Sequence, residues 1–131
     1  MAGKSRELTL EQLFKALSDP IRLRLLNLIG DQEVCVCFFV EALDTPQPTI
    51  SRHLAYLRRT GLVKARRDGK WMHYSVVTPK EREVSDVLNA SLRAMKANPE
   101  FQRDRARLNK ACCGPQSLIQ TIGAPQPAEA R

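Results

Sequence analysis

Gln47-Pro48-Thr49-Ile50-Ser51-Arg52-His53-Leu54 decides the fold. Ile50, Leu54 and Leu57 recur at helical spacing and mark the buried stripe of a helix that Gly61 ends. The opposite face presents Gln47, Thr49, Ser51, Arg52, His53 and Tyr56. Thr45 is the expected N-cap, which puts Pro46 at N1 and Pro48 at N3, where a missing N–H costs no intrahelical bond. Just upstream, Val36, Phe39, Val40 and Leu43 predict a short helix over 36–43. Downstream, residues 62–67 and 70–77 read as two strands, with Asp68-Gly69 as the hairpin signal between them.

Thr9-Leu10-Glu11-Gln12 is a capping box, with Leu8 and Leu13 placed for a hydrophobic staple. It opens a helix over 10–18 whose apolar face holds Leu10, Leu13, Phe14 and Leu17. Asp19-Pro20 restarts the chain as N-cap and N1 of a helix over 20–29, which Gly30 stops. Thr78-Pro79-Lys80-Glu81 reads as a second capping box, opening a long amphipathic helix to Ala97. Asn98-Pro99 begins a more polar helix to about Ala111, and the Gly, Pro, Gln and Ala content from Gly114 onward predicts disorder. Helix, helix, short helix, helix, hairpin, helix is the order of a mostly α winged helix-turn-helix with a β-hairpin wing. Residues 1–97 are expected to form the DNA-binding and dimerisation domain, 98–113 a helical extension and 114–131 a tail. The amphipathic helices 10–18 and 80–97 need a cover, and a second copy of the chain would supply it, so a homodimer through these terminal helices is expected.

The 131 residues carry a net charge of +7. Residues 44–70 hold seven basic side chains against Asp44 and Asp68, a local excess of +5. Such a patch suits phosphates, whose neutralisation releases counterions. Arg pairs bidentately with guanine and Gln with adenine in a major groove, while Ser51 and Thr49 suit phosphate. The candidate contacts to double-stranded DNA are therefore Gln47, Thr49, Ser51, Arg52, His53 and Tyr56, with Arg66, Arg67 and Lys70 at the hairpin tip. For His53 a groove or phosphate contact is favoured over metal ligation; one of His73 and Tyr74 is expected to face the core, and Trp71 to anchor the hairpin. With two histidines and no Cys-x-x-Cys loop, no enzymatic constellation stands out. The N-terminus lacks the apolar run of a signal peptide and no stretch is long enough to span a membrane, which places the protein in the cytoplasm.

Four cysteines form two close pairs, Cys35/Cys37 and Cys112/Cys113. In a cytosolic chain this spacing points to metal or redox chemistry. At about 100° per residue, Cys35 and Cys37 on one helix would point about 200° apart. Binding one ion would then require distorting the start of the third helix.

The runs Ala16-Leu17-Ser18-Asp19-Pro20-Ile21-Arg22-Leu23, Glu33-Val34-Cys35-Val36-Cys37, Gln47 to Leu54 and Gly69-Lys70-Trp71-Met72-His73-Tyr74, in this order, resemble the ArsR/SmtB family of bacterial metal-responsive winged-helix repressors. The resemblance covers residues 9–97. It implies a dimer that represses a resistance operon and releases DNA on binding a toxic metal or metalloid. The cysteine run is similar to the arsenite-responsive subgroup's Glu-Leu-Cys-Val-Cys-Asp-Leu-Cys, which implies As(III) or Sb(III) as inducer on Cys35 and Cys37. The third motif cysteine falls at Val40. A third thiolate from Cys112 or Cys113, in the same chain or its partner, would compensate; so would a two-coordinate site completed by small thiols. The family's other common site uses Asp and His pairs on the long C-terminal helix, and residues 80–97 contain no histidine. Cadmium, lead or zinc sensing, thiol redox sensing and a structural zinc site are the competing readings.

Overall fold

Thr9 accepts a hydrogen bond from the Gln12 amide while the Gln12 side chain accepts from the Thr9 amide, so the expected capping box opens α1 (Leu10–Leu17). Asp19 caps α2 (Pro20–Ile29) through bonds from the Ile21 and Arg22 amides. In this computed structural model residues 8–113 and 118–129 are described; the N-terminal residues 1–7, the tail residues 114–117 and the last two lie outside them. Next come β1 (Gln32–Cys35), α3 (Val36–Leu43) and α4 (Gln47–Arg59). The hairpin is β2 (Val63–Asp68) and β3 (Trp71–Val76), followed by α5 (Arg82–Lys96) and α6 (Pro99–Cys113). The chain closes with α7 (Leu118–Ile122) and β4 (Ala128–Glu129). No helix among the described residues is long and apolar enough to cross a membrane.

Several expectations shift. Thr45 is not the cap of α4: its hydroxyl donates to the Leu43 carbonyl, and Pro46 takes the N-cap place, which puts Pro48 at N2. The second capping box does not form. The Val77 amide still bonds the Leu62 carbonyl, holding the chain extended past the hairpin, and α5 starts only at Arg82 with Glu81 as N-cap. Asp68 pairs with Trp71, so the hairpin turn is Gly69-Lys70, with Gly69 at φ +62° as a turn led by glycine requires. The sheet is larger than the hairpin: β1, unforeseen, pairs antiparallel with β3, and β4 covers its other edge, giving the order β2-β3-β1-β4. Where a disordered tail is expected from the composition, residues 118–129 carry α7 and β4. Unpaired edge groups of β1 find partners in Ala128 and Glu129, and Ala124 is buried.

The core joins Leu13, Leu25, Leu28, Phe38, Phe39, Ile50, Leu54 and Leu57, all closed to solvent. α6 lies across α2 and α3, tied by Arg24, which grips the buried Asp104 at 2.8 and 2.9 Å. Leu10 and Phe14 on α1, expected to be covered, are 46% and 53% exposed.

Candidate DNA interface and dithiol site

α4 packs its apolar stripe against α2 and α3 and turns Gln47, Ser51 and Arg52 to solvent. Thr49 is half-buried. His53 and Tyr56 are not simply solvent-facing as expected, because the start of α2 lies over them. His53 Nδ1 stands 3.9 Å from Asp19 Oδ1, and the Arg22 guanidinium stacks 4.0 Å above the Tyr56 ring, with Arg59 5.7 Å away. Arg22 also donates to the Ala16 and Lys15 carbonyls. These contacts fix the angle of α4 to α2, the pair that sets how a recognition helix enters a groove. At the hairpin, Arg67 and Lys70 are exposed, and Lys70 lies 5.0 Å over the half-buried Trp71 ring. Arg66 is exposed but engaged: it donates to both carboxylate oxygens of Glu33 at 3.0 and 2.8 Å.

Glu33 belongs to β1, and the same strand ends in Cys35. Cys35 has extended geometry (φ −72°, ψ 144°) and is the N-cap of α3. Cys37 is one turn-start further, at N2. The helical geometry expected for the pair is therefore wrong. The bend from strand to helix swings the two side chains together, and Cys37 Sγ donates to Cys35 Sγ at 3.4 Å. Cys35 is 1% exposed and Cys37 half-buried. The Cys37 S–H lowers the Cys35 thiol to about 6; the amides of Cys37, Val36 and Met72 add to this against the opposing cost of burial. Cys37 moves the other way, because its proton is held by the Cys35 sulfur and its own site is dry.

The dithiol adjoins the hairpin directly and α4 through α3. Cys35 is paired in register with His73 and Val34 with Tyr74 on β3, the inner strand of the wing. His73 is the core-facing member of its pair, 5% exposed, with Nε2 lacking a hydrogen-bond partner. Tyr74 packs its ring 6.5 Å from Phe39 of α3, and Phe39 and Leu43 belong to the core that α4 shares. Of the expected pair His73 and Tyr74, it is His73 that faces the core; sequence reading missed β1 and the role of Glu33, for which the β-branched Val34 beside Cys35 was the available signal.

Cys112 is 7% exposed at the end of α6, within the core cluster beside Leu108 and Ala111. The Cys113 side chain lies outside the described residues. Among the described residues no three His, Cys, Asp or Glu side chains gather as a metal cage. Cys35 and Cys37 are thus brought together, and Cys112 does not complete a three-ligand group with them.

Residues 19–65 match the family model of the bacterial regulatory proteins of the arsR family. The chain is 40% identical over 121 residues to the arsenic resistance transcriptional regulator ArsR1 of Pseudomonas putida, covering 89% of this chain and 91% of that protein. It is 53% identical over 64 residues to the arsenical resistance operon repressor of Escherichia coli, covering 48% of this chain and 55% of that one. Among solved structures it is similar to HlyU from Vibrio cholerae, with a TM-score of 0.57, 31% identity and coverage of 64% of this chain and 88% of that one. A winged helix-turn-helix with a basic reading face, matched along nearly the whole of a relative, leaves one assignment: the chain belongs to the arsR family of bacterial DNA-binding transcriptional regulators.

Proposed function

We propose that this protein represses an arsenic-resistance operon and leaves its operator when Cys35 and Cys37 capture trivalent arsenic or antimony. The observation that carries this reading is the 3.4 Å approach of the two sulfurs at the β1–α3 junction. Two sulfurs bound to one ion through bonds of about 2.3 Å stand no more than about 4.6 Å apart, so the pair is already within chelating reach without unwinding α3. Names of relatives that speak of arsenic resistance support the choice of inducer. With Val40 at the motif's third cysteine position, the site is a two-thiolate chelate, its further coordination filled by small thiols. Recruiting Cys112 would unpack a buried side chain.

Gln47, Thr49, Ser51 and Arg52 read the groove; His53 and Tyr56 hold α4 against α2; Arg67 and Lys70 meet the backbone, and Arg66 joins them when Glu33 lets go. Capture removes the shared S–H bond and repositions Cys35, which is wedged between β3 and α3. The wing and α4 then shift together relative to the second subunit's copies. A coupling of about 1–3 kcal/mol changes affinity roughly 5- to 150-fold. The second subunit covers the exposed Leu10 and Phe14 of α1 and packs against α5, so Phe14→Glu yields monomers in sedimentation and loses two-half-site DNA binding.

The deciding experiment titrates reduced protein on fluorescent promoter DNA with arsenite, antimonite, cadmium, zinc and peroxide. Release by near-stoichiometric arsenite or antimonite alone supports the reading. Release only by cadmium, zinc or peroxide keeps a DNA-binding regulator and discards this inducer.

A further inference from the structure

Between the C-terminal end of α2, the start of the segment after β3, and the facing sides of α5 and α6 lies a cleft of about 470 Å³. Its lining includes neither Cys35 nor Cys37 and no residue of α4. Arg93, Lys96 and Arg105 line it, against the single carboxylate of Asp31. None of the three cations has an ion-pair partner among the described residues.

Arg105 is built into place. Its Nη2 donates to the Asn27 carbonyl at 2.9 Å. Gly30, at φ +55°, leaves room for that approach; a Cβ there would stand 2.7 Å from Nη2 and the guanidinium would have to shift. Two residues that line the cleft each bury a polar atom, closed to solvent, that has no hydrogen-bond partner among the described residues: Arg105 Nε, a donor, and Asn27 Oδ1, an acceptor. Asn27 is 2% exposed and its orientation is fixed, since Nδ2 donates to the Phe101 carbonyl at 3.0 Å. Buried groups left this way are costly and ask for a partner.

We propose that this cleft binds a small oxyanion that also carries a hydroxyl, such as hydrogen phosphate or a hydroxycarboxylate. Its oxygens meet Arg93, Lys96 and Arg105, and its hydroxyl answers the Asn27 acceptor after a small adjustment of the floor. Three guanidinium or ammonium groups around one cavity favour anionic oxygen over a neutral guest. Because α5 forms one wall, an occupant there is placed to act as a second effector, independent of the thiols.

The test is an NMR titration of the full chain at constant ionic strength, with sodium phosphate in one arm and sodium citrate in the other. The Asn27 and Asn89 side-chain amides and the Gly30 backbone amide report on the cleft. The expected result is saturable shifts of these signals in at least one arm, the tighter arm identifying phosphate or carboxylate chemistry. The exposed pair change Arg93→Gln with Lys96→Gln, which leaves the core intact, weakens binding at least about tenfold. Absence of saturable shifts in both arms overturns the proposal. So does an unchanged midpoint in the double variant, which would assign the shifts to the basic DNA face.

Discussion

The Cys35–Cys37 pair and Cys112 carry the same thiol in opposite surroundings. Cys35 and Cys37 straddle a change of backbone geometry: the first ends a strand, the second begins a helix, and the bend brings sulfur to sulfur. Cys112 sits within regular helix, one turn after Leu108, and goes into the core with it. One pair joins its sulfurs beside the wing and α3; the other thiol lies in the core. Closeness in sequence does not make a chelate. What makes one is the junction of two elements at which the side-chain directions stop following a single helical period.

The largest expected effect breaks the first pair and spares the second. Cys37→Ser raises the arsenite concentration for half-release of DNA by about 100-fold, whereas Cys112→Ala changes it by less than about fivefold. Equal losses in both variants would show that the tail thiol is a ligand and that the contrast is false. The next effect is on protons. Because Cys35 lies near 6, below the ordinary 9.0, its thiolate persists at neutral pH while Cys37 keeps its proton. Alkylation of Cys35 should rise through a midpoint near pH 6, and Cys37→Ala, which removes the S–H donor, should move that midpoint upward. Arsenite binds as As(OH)3 and loses a hydroxide for each sulfur bond, so below about pH 6 two thiols bind it with release of water and no net proton, whereas above about pH 6 the thiolate–thiol pair takes up one proton and affinity should fall as pH rises. Calorimetry in buffers of different ionisation enthalpy counts those protons. The lowered thiol contributes stability present in full above pH 9, lost as pH falls through about 6.

Cys112→Ala should lower stability by about 1 kcal/mol, read as a shift in urea midpoint. A null result there would mean the sulfur packs against nothing that matters.

Much of this was legible. Thr9, Asp19-Pro20 and the stripe Ile50, Leu54, Leu57 are local signals, and α1, α2, α3 and α4 follow them within a residue or two. The exposure of Gln47, Ser51 and Arg52 on the outer side of α4 was legible for the same reason. What failed depended on long-range neighbours. β1 is four residues long and exists because β3 lies beside it. His53 and Tyr56 stand on the outer side of α4 by helical count, yet the start of α2 covers them. Thr78 and Glu81 have capping-box spacing, but the bond from Val77 to Leu62 keeps that segment extended. The 3.4 Å sulfur contact was hidden because its cause, the end of β1, was hidden.

The smallest effect distinguishes the two routes from the dithiol to DNA. One runs through α3 to α4 by way of Phe39 and Leu43. The other runs along β1 to the wing, where Glu33 holds Arg66. Glu33→Gln releases Arg66 without touching either cysteine. Freed guanidinium at the wing should tighten operator binding by up to about fivefold at low salt, an advantage that shrinks as salt rises. Arg66→Gln should not reproduce that gain. If the β1 route carries the signal, the ratio of DNA affinities without and with arsenite also falls in Glu33→Gln, because the strand no longer pulls on the wing. If the ratio stays at the wild-type value while absolute affinity rises, the wing is only a phosphate contact. The α3–α4 packing then transmits the switch by itself, and Phe39 becomes the position whose truncation should uncouple inducer from DNA.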